Sequence, residues 1–215
     1  PQSTTEEHKI IGEGSYGCVA KPVIPCKETD MNEKLDNSKE YISKIMVKKE
    51  ADEAVTNNEW IKKIKGIDKY GIVNLIQCAP EKKLNNLIKG CSEDIQKNKS
   101  DLSLLQYEYG GESLKNFAIK FDTLSLYEKK NFLNSIVNLI DGLIFFRENK
   151  IIHGDIKLDN IVYNVKNDSI KFIDFDLANT FEMFDDNCRN NKNNFSNYPS
   201  YLPPEGNDCS NASVF

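Results

Sequence analysis

The residues able to do chemistry crowd into one stretch, Ile151-Ile152-His153-Gly154-Asp155-Ile156-Lys157-Leu158-Asp159-Asn160-Ile161-Val162. An apolar lead-in, a polar loop and an apolar exit follow one another. The loop carries a carboxylate, an ammonium and an amide in the spacing Asp155-x-Lys157-x-x-Asn160. Phosphoryl transfer needs these groups: a carboxylate to accept the proton of an attacking hydroxyl, an ammonium to steady the moving phosphoryl group, and an amide oxygen to hold a metal ion. A second acid-bearing run follows, Ile170-Lys171-Phe172-Ile173-Asp174-Phe175-Asp176, in which Asp174 is suited to a Mg²⁺ that bridges phosphates. Alone, His-Gly-Asp reads as a turn and Ile-Asp-Phe-Asp as a strand end. Together and in this order they favour phosphotransfer.

The elements that must position these groups can be read from pattern. Ser125 to Asn149 is the strongest helix, with Phe132, Ile136, Leu139/Ile140, Leu143 and Phe146 as a core-facing stripe that presents the loop at 151–160. Ile161-Val162-Tyr163 and Ile170 to Ile173 pair as a hairpin around Lys166-Asn167-Asp168. Ser113 caps a short helix running to Phe121. Upstream, Gly12-Glu13-Gly14-Ser15-Tyr16-Gly17-Cys18-Val19 has the form G-x-G-x-x-G-x-V. Such glycines let backbone N–H groups approach phosphates closely. A dinucleotide-binding turn would run into a helix after the third Gly, but Pro22 and Pro25 block one, so a hairpin is expected.

Tyr41 to Val47 alternates like a strand and carries Lys44. Lys48 to Lys65 reads as a helix with Ala51, Ala54, Val55, Trp60, Ile61 and Ile64 as its apolar set. Ile72 to Gln77 and Leu102 to Tyr109 read as strands, the latter ending at Gly110-Gly111. Residues 22–40 are expected to be a polar insertion, and residues 80–100 a second, exposed insertion of little periodicity.

The two motifs and the glycine-rich loop resemble those of eukaryotic-type Ser/Thr protein kinases: the H-R-D-x-K-x-x-N loop and D-F-G, with Gly154 in place of Arg and Asp176 in place of Gly. The run from Gly14 to Cys26, with its Pro-rich exit, is similar to kinases of large nucleocytoplasmic DNA viruses. The resemblance implies an α+β, bilobal protein-kinase-like fold. Residues 1–109 would form an N-terminal lobe, a small antiparallel β-sheet with one helix. Residues 110–215 would form part of a mainly helical C-terminal lobe. Tyr201-Leu202-Pro203-Pro204-Glu205 resembles the family's A-P-E, and the helices that follow it in the family are not in this sequence.

The resemblance also implies site residues. Gly12, Glu13, Gly14, Ser15, Tyr16 and Gly17 would cover the phosphates of ATP and Val19 its adenine. Lys44 would pair the α- and β-phosphates. A glutamate on the following helix would pair Lys44; Glu50, Glu53 and Glu59 are candidates, with Glu59 favoured and then Glu53. Glu108 and Gly110 would offer backbone groups to the adenine beside Tyr107. Asp155 is the expected catalytic base, Lys157 stabilises charge on the γ-phosphate, and Asn160 and Asp174 hold Mg²⁺. The implied partners are ATP and a protein substrate with a Ser/Thr acceptor. A small-molecule kinase of the aminoglycoside or choline type shares His-Gly-Asp and Ile-Asp-Phe-Asp. A catalytically silent, pseudokinase-like binding module is the other alternative.

Composition narrows the field. The chain of 215 residues is 39% hydrophobic and 28% charged, a globular balance, and its net charge of -5 gives no basic field for nucleic acid or an acidic membrane. No run approaches the length of a membrane span. Cys18, Cys26, Cys78, Cys91, Cys188 and Cys209 form no C-x-x-C, and the 2 His lie far apart, so a zinc site is not expected. The cysteines read as reduced thiols of a cytosol-like compartment. The expected location is cytoplasmic: host cytoplasm, and the virion too if the source is viral.

Overall fold

A computed structural model describes residues 7–14 and 17–183. The chain divides into two compact units, one of residues up to 68 with 72–110, the other of residues 69–71 and those from 111 onward.

The smaller unit is built on one antiparallel sheet. Its strands are β1 (Lys9–Gly14), β2 (Gly17–Lys21), β3 (Tyr41–Val47), β4 (Leu75–Cys78) and β5 (Leu102–Glu108), in spatial order β1-β2-β3-β5-β4. The expected hairpin is β1–β2, with Gly14 opposite Gly17. Gly17 is a packing requirement, because a Cβ there would lie 2.6 Å from the Ile45 carbonyl oxygen. Helix α2 (Lys48–Ile61) follows β3 without a linker and buries Ala51, Ala54, Asn58 and Ile61. It ends four residues earlier than the apolar pattern suggested, in turns closed by Lys63 N–H on Trp60 O and Ile64 N–H on Ile61 O.

Side-chain alternation splits this sheet into two faces. Met46 and Leu105 pack with Ala51 and Ala54 of α2. Lys44 lies two residues from Met46 and is cross-strand to Val19 and Leu105, so all three belong to that face. The other face carries Cys18, Ala20, Ile45 and Leu104, buried under the two insertions. The first insertion contains α1 (Thr29–Glu33), and the second contains a 3-10 turn (Leu87–Gly90) and α3 (Glu93–Lys97).

Two expectations fail here. The second insertion is not wholly exposed: Ile88, Cys91 and Ile95 are buried in the cluster beneath the sheet. And the cysteines are not thiols: Cys18 is bonded to Cys91 and Cys26 to Cys78, and no cysteine of the described residues is left reduced. Cys188 and Cys209 lie outside the described residues. The pairing was hidden because the partners, 73 and 52 residues apart, meet only through the sheet.

The larger unit is arranged around α5 (Leu126–Glu148). Ser125 and Glu128 form a capping box at its start, two otherwise orphaned N–H groups each finding an oxygen. Helix α4 (Leu114–Lys120) precedes it, capped by Ser113. The buried face of α5 runs through Ser135, Gly142 and Phe146. Ile140 and Leu143, expected in the core, are 51% and 42% exposed because the inward face lies to one side of them. Against α5 lies the hairpin β8 (Ile161–Asn164) and β9 (Ser169–Phe172), in the register Ile161↔Phe172, with β6 (Glu112–Ser113) on its other edge. Strand β7 (Ile151–Ile152) pairs with β10 (Asn179–Thr180). No helix among the described residues is long and apolar enough to cross a membrane.

Candidate active site

The loop between β7 and β8 holds its functional groups by buried hydrogen bonds. Asp155 is 9% exposed. Its Oδ2 accepts from Lys157 Nζ at 2.7 Å and from Asn160 Nδ2 at 2.7 Å. Asn160 Nδ2 also donates to the Asp155 main-chain carbonyl at 3.0 Å. The second carboxylate oxygen, Oδ1, is enclosed and has no hydrogen-bond partner. An acceptor left unpaired in a buried site costs free energy, so its retention marks a place where a proton donor from outside is expected. The amide of Asn160 is oriented by these bonds, which use its nitrogen.

His153 ties this loop to the second motif. It is 2% exposed. Its Nε2–H donates to the Ile173 carbonyl at 3.1 Å, and its Nδ1 accepts the Asp155 N–H at 3.4 Å. The two bonds fix one neutral tautomer. Burial lowers the imidazole's pKa, against the upward pull of Asp174 and Asp155. Ile173 N–H in turn donates to the Asn160 carbonyl at 3.0 Å, so the residue before Asp174 is fastened to both His153 and Asn160. Asp174 has φ +64°, a left-handed conformation rare for a residue with a side chain. Phe175 is 1% exposed, its ring 4.5 Å from that of His153.

Gly154 is explained by the same packing. Its φ is +78°, and a Cβ would lie 2.4 Å from the Leu177 carbonyl oxygen. The departure from the family's Arg is therefore built into how this loop meets the chain just after Asp176.

In the smaller unit, Gly12, Glu13 and Gly14 close β1, Val19 lies on β2, and Lys44 lies on the α2 side of β3. Ser15 and Tyr16 lie outside the described residues. Glu108 ends β5, and its carboxylate pairs with Lys39 at 2.8 Å. Of the glutamates that could pair with Lys44, the favoured Glu59 pairs with Lys62 at the end of α2, its side chain 47% exposed. Glu53 is more open still and lies 4.0 Å from Lys49. The glutamate that turns inward is Glu50, half-buried, with Oε2 enclosed and unpartnered.

The sequence matches the protein kinase domain family over residues 5–212. The chain belongs to that family. The five-stranded antiparallel sheet with α2, followed by helices and short hairpins, is the α+β arrangement expected of it. A protein of Acanthamoeba polyphaga mimivirus, provisionally named a serine/threonine-protein kinase, is 32% identical over 96 residues, covering 44% of this chain and 33% of the relative. Death-associated protein kinase 2 of Mus musculus is 34% identical over 92 residues, 41% of this chain and 24% of that protein. The dual specificity protein kinase zakA of Dictyostelium discoideum is 27% identical over 173 residues, 79% of this chain and 18% of that protein. The matched segments span a third or less of the length of these relatives.

Motif reading singled out Asp155, Lys157, Asn160 and Asp174, and the fold bonds Lys157 and Asn160 to Asp155. It missed His153 as the tie between the motifs. The available signal was a lone histidine at the head of the polar loop, flanked by the two-residue apolar lead-in.

Proposed function

We propose that this chain is a protein kinase that transfers the γ-phosphate of ATP to Ser or Thr hydroxyls of proteins. The observation that carries this reading is the buried Asp155 carboxylate, one oxygen held by Lys157 and Asn160 and the other unpartnered. The acceptor hydroxyl donates to Oδ1, and Asp155 orients it and takes its proton as the oxygen attacks. Lys157 lies against Asp155 until a phosphoryl group competes for its ammonium, and then stabilises the charge that spreads over the transferring oxygens. Lys44 holds the α- and β-phosphates, with Glu50 as its charge partner. The loop 12–17 covers the phosphates and Val19 the adenine.

The oxygens of Asn160 and Asp174 are the hard donors that suit Mg²⁺. When bound, Mg²⁺ supplies charge neutralisation of the phosphates. The strained backbone of Asp174 and the bonds through Ile173 keep its carboxylate in place for that role.

Gly154 supplies no guanidinium at the position where the family's Arg meets a phosphate on the segment after Asp176. Phosphorylation of Thr180, Ser196 or Ser200 is accordingly not required for activity. Thr180 Oγ1 accepts the Met183 N–H at 3.1 Å, and the two serines lie outside the described residues. Treatment with a phosphatase should leave the rate unchanged, and a loss of rate reversed by rephosphorylation would sink this point.

The test of the main reading is transfer of labelled γ-phosphate, with Mg²⁺, to mixed acidic and basic proteins, beside Asp155→Asn. Label on Ser and Thr that falls at least a hundredfold in the variant is expected. Label on small alcohols but on no protein overturns the protein acceptor. The motifs His153-Gly154-Asp155 and Ile173-Asp174-Phe175-Asp176 favour that second outcome most. Nucleotide binding without any transfer overturns the enzyme.

A further inference from the structure

The four cysteines of the smaller unit share one geometry. Each pair joins a strand of the sheet to an insertion: Cys18 of β2 to Cys91 of the second insertion, and Cys78 at the end of β4 to Cys26 of the first. All four are between 0% and 7% exposed, within one apolar cluster with Ile24, Ile45, Ile88, Ile95 and Leu104. The cluster occupies the face of the sheet opposite Lys44 and Val19. Cys18 stands between Gly17 and Val19 on β2, so its bond fastens the strand that ends the glycine-rich loop.

We propose that the smaller unit matures by oxidation: two disulfides form as it folds, are then sealed from reductants, and the Cys18–Cys91 bond holds β2 in the position that nucleotide binding uses. In each formation step two thiols exchange with an external disulfide, of a small molecule such as glutathione disulfide or of a thiol–disulfide oxidoreductase. One Cys–Cys bond forms, the external S–S bond breaks, and its two sulfurs leave as thiols carrying the two protons. The cysteine pair is oxidised by two electrons and the external disulfide reduced by two.

Burial decides that these bonds are constitutive staples. A thiolate must reach a sulfur along the S–S axis, and sulfurs this deeply enclosed are reached only after the cluster opens. A glutathione-reduced compartment keeps exposed thiols reduced, so the oxidant must act before the cluster closes.

The two bonds differ in what else does their work. Around Cys26–Cys78 the backbone is already bridged: Lys27 N–H donates to Ala79 O at 2.9 Å and Glu81 N–H to Pro25 O at 3.0 Å. Asn32 adds a bond to the Cys26 N–H and another to its carbonyl, at 2.8 Å and 3.0 Å. Around Cys91 the hydrogen bonds are internal to the second insertion, from Cys91 N–H to Ile88 O and from Gln96 to Cys91 O. The Cys18–Cys91 bond is therefore the harder one to lose.

The experiment uses the full chain, native and soluble, alkylated and digested without reductant. Expected are the cross-linked peptides Cys18–Cys91 and Cys26–Cys78, unopened by millimolar glutathione until denaturant is added. Cys18→Ser with Cys91→Ser is expected to lower Tm by about 10 °C and to weaken binding of a fluorescent ATP analogue at least tenfold. Cys26→Ser with Cys78→Ser should do less in both measurements. Alkylation of Cys18, Cys26, Cys78 and Cys91 in the native chain, with the Tm of the oxidised form, overturns the proposal. The mapping needs no variant, so it decides even where a serine pair fails to fold. A lowered Tm with unchanged nucleotide affinity overturns the role given to β2. That last arm rests on the kinase reading: if no form binds nucleotide, the kinase reading fails, while mapping and Tm still decide the disulfides.

Discussion

In the smaller unit, Val19 and Lys44 are placed by strand register, and the strands beneath them are fastened by two disulfides and an apolar cluster on the opposite face. In the larger unit, Asp155 is placed by hydrogen bonds from Lys157 and Asn160 and, through its own N–H, by His153. The first arrangement tolerates loss of any one polar contact, because register is a property of whole strands. The second depends on a few buried bonds in a short loop, so single atoms matter. In the proposed roles, a base would have to be held to within a fraction of an ångström of its acceptor, whereas phosphates would be gripped by many backbone groups, and the two arrangements match that difference in demand.

The comparison is tested most severely at Asn160. Asn160→Ala removes both side-chain bonds to Asp155 and the amide oxygen proposed to hold Mg²⁺, while leaving the smaller unit untouched. The expected result is a fall in kcat of about a hundredfold or more with ATP-analogue affinity changed far less. An equal loss in both would show that the two sets of residues are not separable as described.

Glycines come next. Gly154→Ala forces a left-handed residue and a carbonyl contact of 2.4 Å, and should cost about 2 kcal/mol or more, read from the urea midpoint. Among the described residues, Gly14→Ala meets only the Gly17 carbonyl at 3.8 Å, and it should leave stability within about 1 kcal/mol while weakening nucleotide binding. A Gly154→Ala protein as stable as the parent would mean the loop packs differently.

A smaller effect separates two residues of one helix. Glu50→Gln is expected to weaken ATP-analogue binding or lower the rate about tenfold, because it removes the enclosed charge partner proposed for Lys44. Glu59→Gln, which breaks only a surface pair with Lys62, should stay within about twofold. The reverse ranking would favour Glu59 as the partner of Lys44.

That reversal shows where the sequence could and could not be read. The strand holding Lys44, the hairpins, the capped α5 and the loop 151–160 were all legible, because period, turn residues and motif spacing are local. The inward turn of Glu50 was not, since it is set by which side of α2 packs Ala51 and Ala54 against the sheet. The inner face of α5 was misjudged by about a quarter turn, because nearly every turn of that helix offers an apolar residue. The disulfides were illegible for a different reason: their partners are distant in sequence, and an insertion of mixed composition gives no sign that Ile88, Cys91 and Ile95 turn inward.

The last test uses pH to load the larger unit alone. His153 has its pKa lowered by burial, so below about pH 6.5 the unfolded chain takes up a proton that the folded loop refuses. Stability should therefore be present above that pH and fall as pH drops through it. Tyr163 behaves in the opposite sense: burial, and then its hydrogen bond to Asp168 at 2.7 Å, raise its pKa from 10.0 to about 12. Its contribution is complete below about pH 10 and is lost as pH rises from there toward 12, because the unfolded phenol ionises first. Urea midpoints of a β8–β9 hairpin probe should decline on both sides. His153→Gln should flatten the acid limb, and Tyr163→Phe the alkaline one. Both residues lie in the larger unit, so a probe on β2 should show neither limb in an oxidised chain. A β2 probe that follows the hairpin at every pH would mean that the two units unfold as one and that their separate means of support share a single stability.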